Sequence, residues 1–154
     1  CNWYDTRKNR RKIKIHIDNY DTWNMNSTLA MIILPMLKQL KDTKHGAPNT
    51  DDKDAPVELR STSAPKKEHD YDTDGNHFKR WDYILDEMIW TFEQEIDVDD
   101  ESQFYDHSES RNEEDDLQTQ IDKIKVDREG LEMHQQRKAN GFRLFGRYYQ
   151  NLWS

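Results

Sequence analysis

The sequence predicts a mainly α-helical chain with a small β element, built from two or three long amphipathic helices and one N-terminal strand. The main evidence lies in residues 77–96, where apolar side chains recur at helical spacing and form a stripe that needs a core. The stripe consists of Phe78, Trp81, Leu85, Met88, Phe92 and Ile96, with Ile84 and Ile89 at its edges. Tyr83 and Trp90 lie on a different face of the same helix. We therefore expect this helix to be packed on both sides, by its own chain or by a second subunit.

The strand is predicted by a strict alternation over residues 12–18, with isoleucines on one side and polar residues on the other. A strand needs a partner for its backbone groups, and the weak candidates are 56–59 and 103–105. We therefore expect the partner upstream of residue 1 or in a second copy related by a two-fold axis. A homodimer is the favoured assembly.

A second helix is predicted over 27–42, after a turn over 19–26 in which Asn26 or Ser27 caps the helix. Pro35 falls inside this helix and should kink it, because proline removes one backbone donor. The apolar face is formed by Leu29, Ile32, Ile33, Met36, Leu37 and Leu40. Residues 43–76 then form a long polar connector, with one or two helical turns around 56–60 as its only regular structure.

The last third of the chain predicts another long helix after an acidic connector. Between 95 and 116 there are eleven acidic residues against one arginine, which is typical of a solvated segment, with its centre at 97–110. Ser110 and Glu113 fit a capping box, so the helix should begin near 111 and run to the end, about 60 Å if continuous. Asn140 and Gly141 are the expected break. The aromatic segment 141–153 is expected to dock on Trp81 or Trp90.

Composition indicates one domain over 1–154, with 33% hydrophobic and 35% charged residues. The single cysteine, Cys1, excludes an intrachain disulfide and a four-cysteine zinc site, and it favours a cytosolic compartment. The longest apolar run, 29–37, is far shorter than the ~20 residues that span a bilayer, so we expect no membrane association. Because the sequence begins with Cys rather than Met, we also expect a region upstream of residue 1.

Two groups of residues have the spacing of metal ligands. Asp70, Asp72 and Asp74 precede Gly75 as in the first half of a calcium loop, but position 12 of that loop is Trp81, and the same residues suit a turn and helix cap. The second group could support a metal-dependent hydrolase, or it could be the solvent-exposed face of an edge strand. It contains His16, Asp18 and Asp21, with His45 or His77 as further ligands. We expect no cofactor, with a divalent metal as the alternative.

No other motif predicts catalysis. The sequence lacks GxSxG, GxxxxGK[ST] and GxGxxG, which removes the common nucleophile and phosphate-binding signatures. Asp86 and Glu87 are acidic neighbours on the helix over 77–96, but their position opposite the apolar stripe predicts a solvated face.

The N-terminus is a basic arm on an acidic body. Residues 1–16 carry +5 of a net charge of −8, so the remainder carries −13. The arm could contact nucleic acid, or it could form salt bridges with the acidic connector of a neighbouring subunit. Its cations are Arg7, Lys8, Arg10, Arg11, Lys12 and Lys14. Tyr83 and Trp90 are the other residues that we expect to contact a partner.

Several long strings carry a resemblance. They are KIKIHIDNYDTWNM, TLAMIILPMLKQLK with the following TKHGAP, HFKRWDYILDEMIW and GFRLFGRYYQNLW. In these strings the chain resembles an uncharacterised protein family encoded by T-even-like tailed phages of marine bacteria, with a marine metagenome as an alternative source. The resemblance implies a viral origin and expression in the cytoplasm of a bacterial host, with the virion as an alternative location. It assigns no residue a role.

The leading hypothesis from sequence is a non-enzymatic phage protein that self-associates and binds protein. It would act as a virion or assembly component, or against a host protein. Its basis is the two-sided aromatic helix, the unpaired strand and the opposite charges at the two ends of the chain. The alternatives are a metal-dependent hydrolase and nucleic-acid binding through the arm.

Overall fold

The computed structural model describes residues 16–110 and 116–153. The basic arm, the first part of the predicted strand at 12–15, and Glu113 lie outside the described residues. Residues 16–18, which complete the predicted strand, have no regular structure and lead directly into a helix.

The described residues form a mainly α-helical fold with one small sheet, as the sequence predicts. The two strands, β1 (Tyr105–Asp106) and β2 (Lys125–Val126), pair antiparallel with Tyr105 opposite Val126. Residue 105 was a weak strand candidate, and among the described residues it pairs with β2. The helices are α1 (Asn19–Trp23), α2 (Met25–Thr43), α3 (His77–Ile96), α4 (Leu117–Asp122) and α5 (Arg128–Arg147). No described helix combines the length and apolar character needed to cross a bilayer.

Helix α3 is the centre of the fold, and its bounds are those predicted. Helices α2 and α5 both pack on it, and Trp81 and Phe92 are 1% and 5% exposed. Phe78, however, is 52% exposed, while Ile84 is completely buried and Ile89 nearly so. The buried face of α3 is wider around the helix and shorter along it than the predicted apolar stripe. The two neighbouring helices cover a broad arc in the middle of α3 and leave residues at its ends exposed.

Helix α2 lies against α3 and is longer than predicted. Ala30 and Leu37 are buried in the interface. Two lysines in its C-terminal half, and Lys44 directly after its end, form ion pairs with acidic residues on α3. The pairs are Lys38 with Glu93, Lys41 with Asp86, and Lys44 with Asp82.

The predicted turn over 19–26 is wrong for its first part, which forms α1. Asp18 and Asp21 build a capping box at the start of this helix, and the backbone N–H of Asp18 donates to Asp21 Oδ2 at 2.8 Å. These two acidic residues satisfy donors that a helix start otherwise leaves unpaired. The turn is limited to Asn24, between α1 and α2.

The 43–76 connector is held against the helices rather than free. Asp54 and Ala55 are buried, and the Asn76 side chain donates to the backbone oxygen of Glu58. The expected helical turn around 56–60 is present as a 3₁₀ turn at Val57–Leu59, one of three in this segment. The acidic connector is also only partly solvated, because Asp100 is nearly buried against α5.

The predicted long C-terminal helix is interrupted at a different place from the expected break. Residues 123–127 interrupt it and supply β2, while α5 runs unbroken through Gly141, the expected break. A Cβ at residue 141 would lie 1.8 Å from Thr91 Oγ1, so Gly141 allows α5 to touch α3. The helix starts are capped by Asp116 and Asp127. Ser110 instead donates its hydroxyl to the His107 backbone oxygen.

Candidate protein-binding groove

An apolar groove of about 830 Å³ runs between α2 and the C-terminal end of the chain. One wall is formed by α2, and the other by Phe145 of α5 together with residues that follow this helix. Its lining is apolar apart from Gln39 and Thr43, together with the Tyr149 hydroxyl. The lining residues are Leu29, Ile33, Met36, Leu37, Gln39, Leu40, Thr43, Phe145, Tyr149, Leu152 and Trp153.

Two of the lining residues, Leu29 and Met36, also belong to an outward face of α2 that the sequence did not distinguish from its buried face. Met25, Leu29, Ile32 and Met36 follow one another at intervals of four, three and four residues, the spacing of a coiled-coil seam. They are between 44% and 65% exposed. We call these four residues the α2 seam. Helix α2 therefore carries apolar side chains on two faces, and the described chain covers only one of them.

The other wall is held in place by Tyr148. Its ring packs edge-on against Trp81, with centroids 5.8 Å apart, and its hydroxyl donates to Asp54 Oδ2 at 2.7 Å. The same hydroxyl accepts the backbone N–H of Asp51 at 3.0 Å. Burial, reinforced by the bond to Asp54, raises the pKa of Tyr148. This residue joins the core, the connector and the groove wall, and it keeps Tyr149 and the tail beyond it at the groove.

The α2 seam lies in an uncharged part of a highly charged chain. Residues 22–37, sixteen in succession, include no Asp, Glu, Lys or Arg, although these types make up 35% of the sequence. They contain the whole α2 seam. A large uncharged apolar surface on a charged protein is typical of a site that contacts another protein.

Trp90, which the sequence predicts as a partner contact, is covered by its own chain. The Arg137 guanidinium lies 3.9 Å from the centre of its ring, and the His134 ring packs on it at 5.2 Å. Arg137 also forms two hydrogen bonds with Glu87, at 2.7 and 3.0 Å, which raise the pKa of the guanidinium. The prediction that Glu87 is solvated is wrong, because Arg137 on α5 neutralises it at the helix interface. Tyr83 is half-buried beside the core, and burial raises its pKa.

A buried polar cluster around His134 was not predicted from the sequence. This ring lies between Trp90 and Phe104 and contacts Asp100 Oδ2 at 3.3 Å. Lys138 donates to the same oxygen at 2.9 Å. Burial alone would raise the pKa of Asp100, but these two hydrogen bonds lower it overall. The cluster fastens the acidic connector to α5. Only spacing along α5, with His134 and Lys138 four residues apart, could have suggested it.

The calcium-loop residues do not converge. Asp74 uses both carboxylate oxygens for Arg80, at 2.7 and 2.8 Å, and these bonds hold its pKa at about 2. Asp72 accepts the backbone N–H of His69, and Asp70 is exposed. Asp74 also accepts the backbone N–H of Asn76 just before α3, as in the alternative turn-and-cap interpretation.

The second predicted metal group is spread over a helix start. His16 Nε2 lies 3.2 Å from Asp18 Oδ1, while Asp21 takes part in the capping box of α1. His77 contacts the backbone oxygen of Ala47 at 3.1 Å, and His45 is exposed. Within residues 16–110 and 116–153, no three His, Cys, Asp or Glu side chains are grouped in a way that could hold a metal ion.

Comparisons with protein-family models, with curated proteins and with solved structures found no match for this chain.

Proposed function

We propose that the protein acts by binding protein chains, including further copies of itself, rather than by catalysis. The observation that carries this proposal is the apolar groove between α2 and the tail. Met36 and Trp153, on opposite walls, both expose more than half of their surface. Covering such side chains on binding is favourable by about 25 cal/mol for each Å² of apolar surface removed from water.

The shape of the groove favours a helix as the bound element. One wall is itself a helix, and the seam presents apolar side chains at the spacing by which helices interdigitate. Recognition of an amphipathic helix in an apolar groove depends on such anchors at every third or fourth position. A bound helix would lie beside α2 as a fourth helix in addition to α2, α3 and α5.

The phage resemblance extends the proposal to a biological setting. A protein that binds copies of itself or other chains suits a virion or assembly component, and it suits a factor that acts on a host protein. Either role places it in the cytoplasm of an infected bacterium or in the virion. The hydrolase and nucleic-acid hypotheses remain predictions from sequence, and no contact among the described residues favours them.

Light scattering coupled to gel filtration tests the proposal, over protein concentrations from about 1 to 200 µM. We expect a mass near twice the 18.6 kDa of one chain at the higher concentrations. Met36→Glu should lower the mass to that of a monomer, because two carboxylates would enter an apolar interface. Met133→Glu on α5 is the matched control, since Met133 and Met36 are each 65% exposed. A compact monomer at every concentration would remove the case for self-association.

A further inference from the structure

The uncharged stretch of the chain has a specific value for contact between identical copies. Two chains that each carry −8 repel one another, most strongly where acidic residues approach. Residues 22–37 contain no charged side chain, so two copies can approach there without placing like charges together. A basic or acidic partner would instead be selected by a charged surface. The absence of charge at the α2 seam therefore favours a second copy as the occupant.

The α2 seam is also symmetric along the helix. Its intervals of four, three and four residues read the same in both directions, with the midpoint between Ala30 and Met31. When two copies of α2 run antiparallel about that midpoint, Met25 faces the partner's Met36, and Leu29 faces the partner's Ile32. Every seam residue then meets another seam residue, as a two-fold contact requires. A parallel pair would instead place each residue opposite itself.

The helix dipoles distinguish the two directions. The peptide dipoles of an α-helix sum to a partial positive charge at its N-terminus and a partial negative charge at its C-terminus. An antiparallel pair places the N-terminus of each α2 beside the C-terminus of the other, whereas a parallel pair places like ends together. Lys38, Lys41 and Lys44 do not affect this choice, because all three are paired with acidic residues on α3. The antiparallel direction is therefore favoured.

The available surface is large enough for a stable pair. The exposed parts of the seam, of Trp23 and of the tail aromatics Tyr149 and Trp153 each amount to roughly 100 Å². Together they approach ~800 Å² on each copy, the area that each partner buries in a standard protein interface. The tail of one copy would cover the side of the partner's α2 that the seam leaves open.

We infer that α2 of a second copy, running antiparallel, covers the α2 seam and the adjoining groove, with Met25 against the partner's Met36 and Leu29 against the partner's Ile32. The inference rests on the proposed function and adds the identity and direction of the bound helix. Cysteine cross-linking tests it, because a disulfide requires its two Cα atoms to come within roughly 7 Å of each other, and only paired residues do so. In contrast, Met25 and the partner's Met25 would be separated by about 16 Å along the helix axis.

The experiment uses the full chain with Cys1→Ser, which removes the native thiol, and adds either Met25→Cys or Met36→Cys. The two variants are prepared at different masses by a tag, then oxidised alone and after mixing. We expect a tag-shifted mixed dimer that reducing agent dissolves, at least about tenfold more abundant than either self-linked product. Met133→Cys in the same background measures random collision.

The outcomes separate this inference from the proposed function. Self-linked products from each variant alone overturn the antiparallel direction, while the groove proposal stands. A dimer by light scattering with cross-linking no higher than that of Met133→Cys overturns α2 as the occupant. A monomer whose groove still binds a labelled peptide of residues 22–44, and loses it with Met36→Glu, overturns the second copy but keeps the groove. A monomer that does not bind this peptide overturns both.

Discussion

Replacing Gly141 by alanine should force α5 away from α3 at their closest approach. The new Cβ would lie 1.8 Å from Thr91 Oγ1, 2.7 Å from Thr91 Cβ and 2.9 Å from the Glu87 backbone oxygen. Thr91 is completely buried, and its hydroxyl donates to that same oxygen at 2.8 Å. Neither group is the free end of a flexible side chain, so the backbones of the two helices must separate.

The magnitude follows from two opposing effects. Overpacking a close-packed site costs about 1–3 kcal/mol, and a contact this short belongs at the upper end of that range. Alanine in a helix interior is favoured over glycine by about 1 kcal/mol. We therefore expect Gly141→Ala to lower the free energy of unfolding by about 2 kcal/mol. Gly146 lies in the same helix, and a Cβ added there would meet nothing within 4 Å, so Gly146→Ala should raise it by up to ~1 kcal/mol.

Urea unfolding followed by tryptophan fluorescence and circular dichroism measures both variants. The slope of free energy against urea should stay constant, which shows that the unfolded state is unchanged. Adding Thr91→Ala to Gly141→Ala should recover part of the loss, because it removes the atom at 1.8 Å but leaves the contact with the Glu87 backbone. If the two glycine substitutions change stability by the same amount and sign, the close crossing of α3 and α5 at residue 141 is refuted.

Two further predictions concern polar contacts that hold the connector. Tyr148→Phe should lower the free energy of unfolding by about 1–3 kcal/mol in the same urea assay, because the buried Asp54 loses a donor while the ring stays on Trp81. Unchanged stability would contradict this role. The pKa of Asp74 is lowered from 3.8 to about 2, chiefly by hydrogen bonds from Arg80. A lowered carboxyl pKa stabilises the fold above pH ~4 and loses that effect as pH falls towards ~2. In thermal unfolding, the free energy of unfolding of the native chain should therefore fall by about 1–2 kcal/mol between pH ~4 and pH ~2. The Asp74→Asn variant should lack this part of the fall. If the two proteins gave parallel pH profiles, the prediction would be disproved.

The helical periodicity of apolar residues correctly predicted α2 and α3, whose positions depend on their own residues. Both ends of α3 follow from one apolar pattern, and α2 needed only small extensions. The predicted break at Asn140 and Gly141 is wrong, because the prediction considered only the low helix propensity of glycine. In the fold, Gly141 is required for close contact with Thr91, a residue fifty positions earlier. Propensity within a window cannot report on such a distant neighbour.

The groove and the α2 seam could be predicted only in part. Leu29, Ile32, Met36 and Leu37 share one broad apolar pattern in the sequence, and the neighbour that covers α2 decides which of them point outward. Leu37 faces α3 and is buried, while Met36 beside it is exposed. The uncharged run over 22–37 is visible in the sequence and is the one signal that distinguishes this helix from the others. The partner of Glu87 was not visible, because Arg137 follows it by fifty residues.

The distribution of charge explains how a chain with few apolar residues can leave a whole seam exposed. Asp54, Asp74 and Asp100 hold the connectors through hydrogen bonds and ion pairs, so these segments need little apolar surface of their own. The apolar residues are thereby concentrated on the helices. The core around Trp81 includes none of the four seam residues. The residues of α2 that belong to it or pack against it are Ala30, Ile33, Leu34, Leu37 and Leu40. Four exposed apolar residues at coiled-coil spacing are therefore not required by the fold of one chain, and this is the observation from which we propose a binding role.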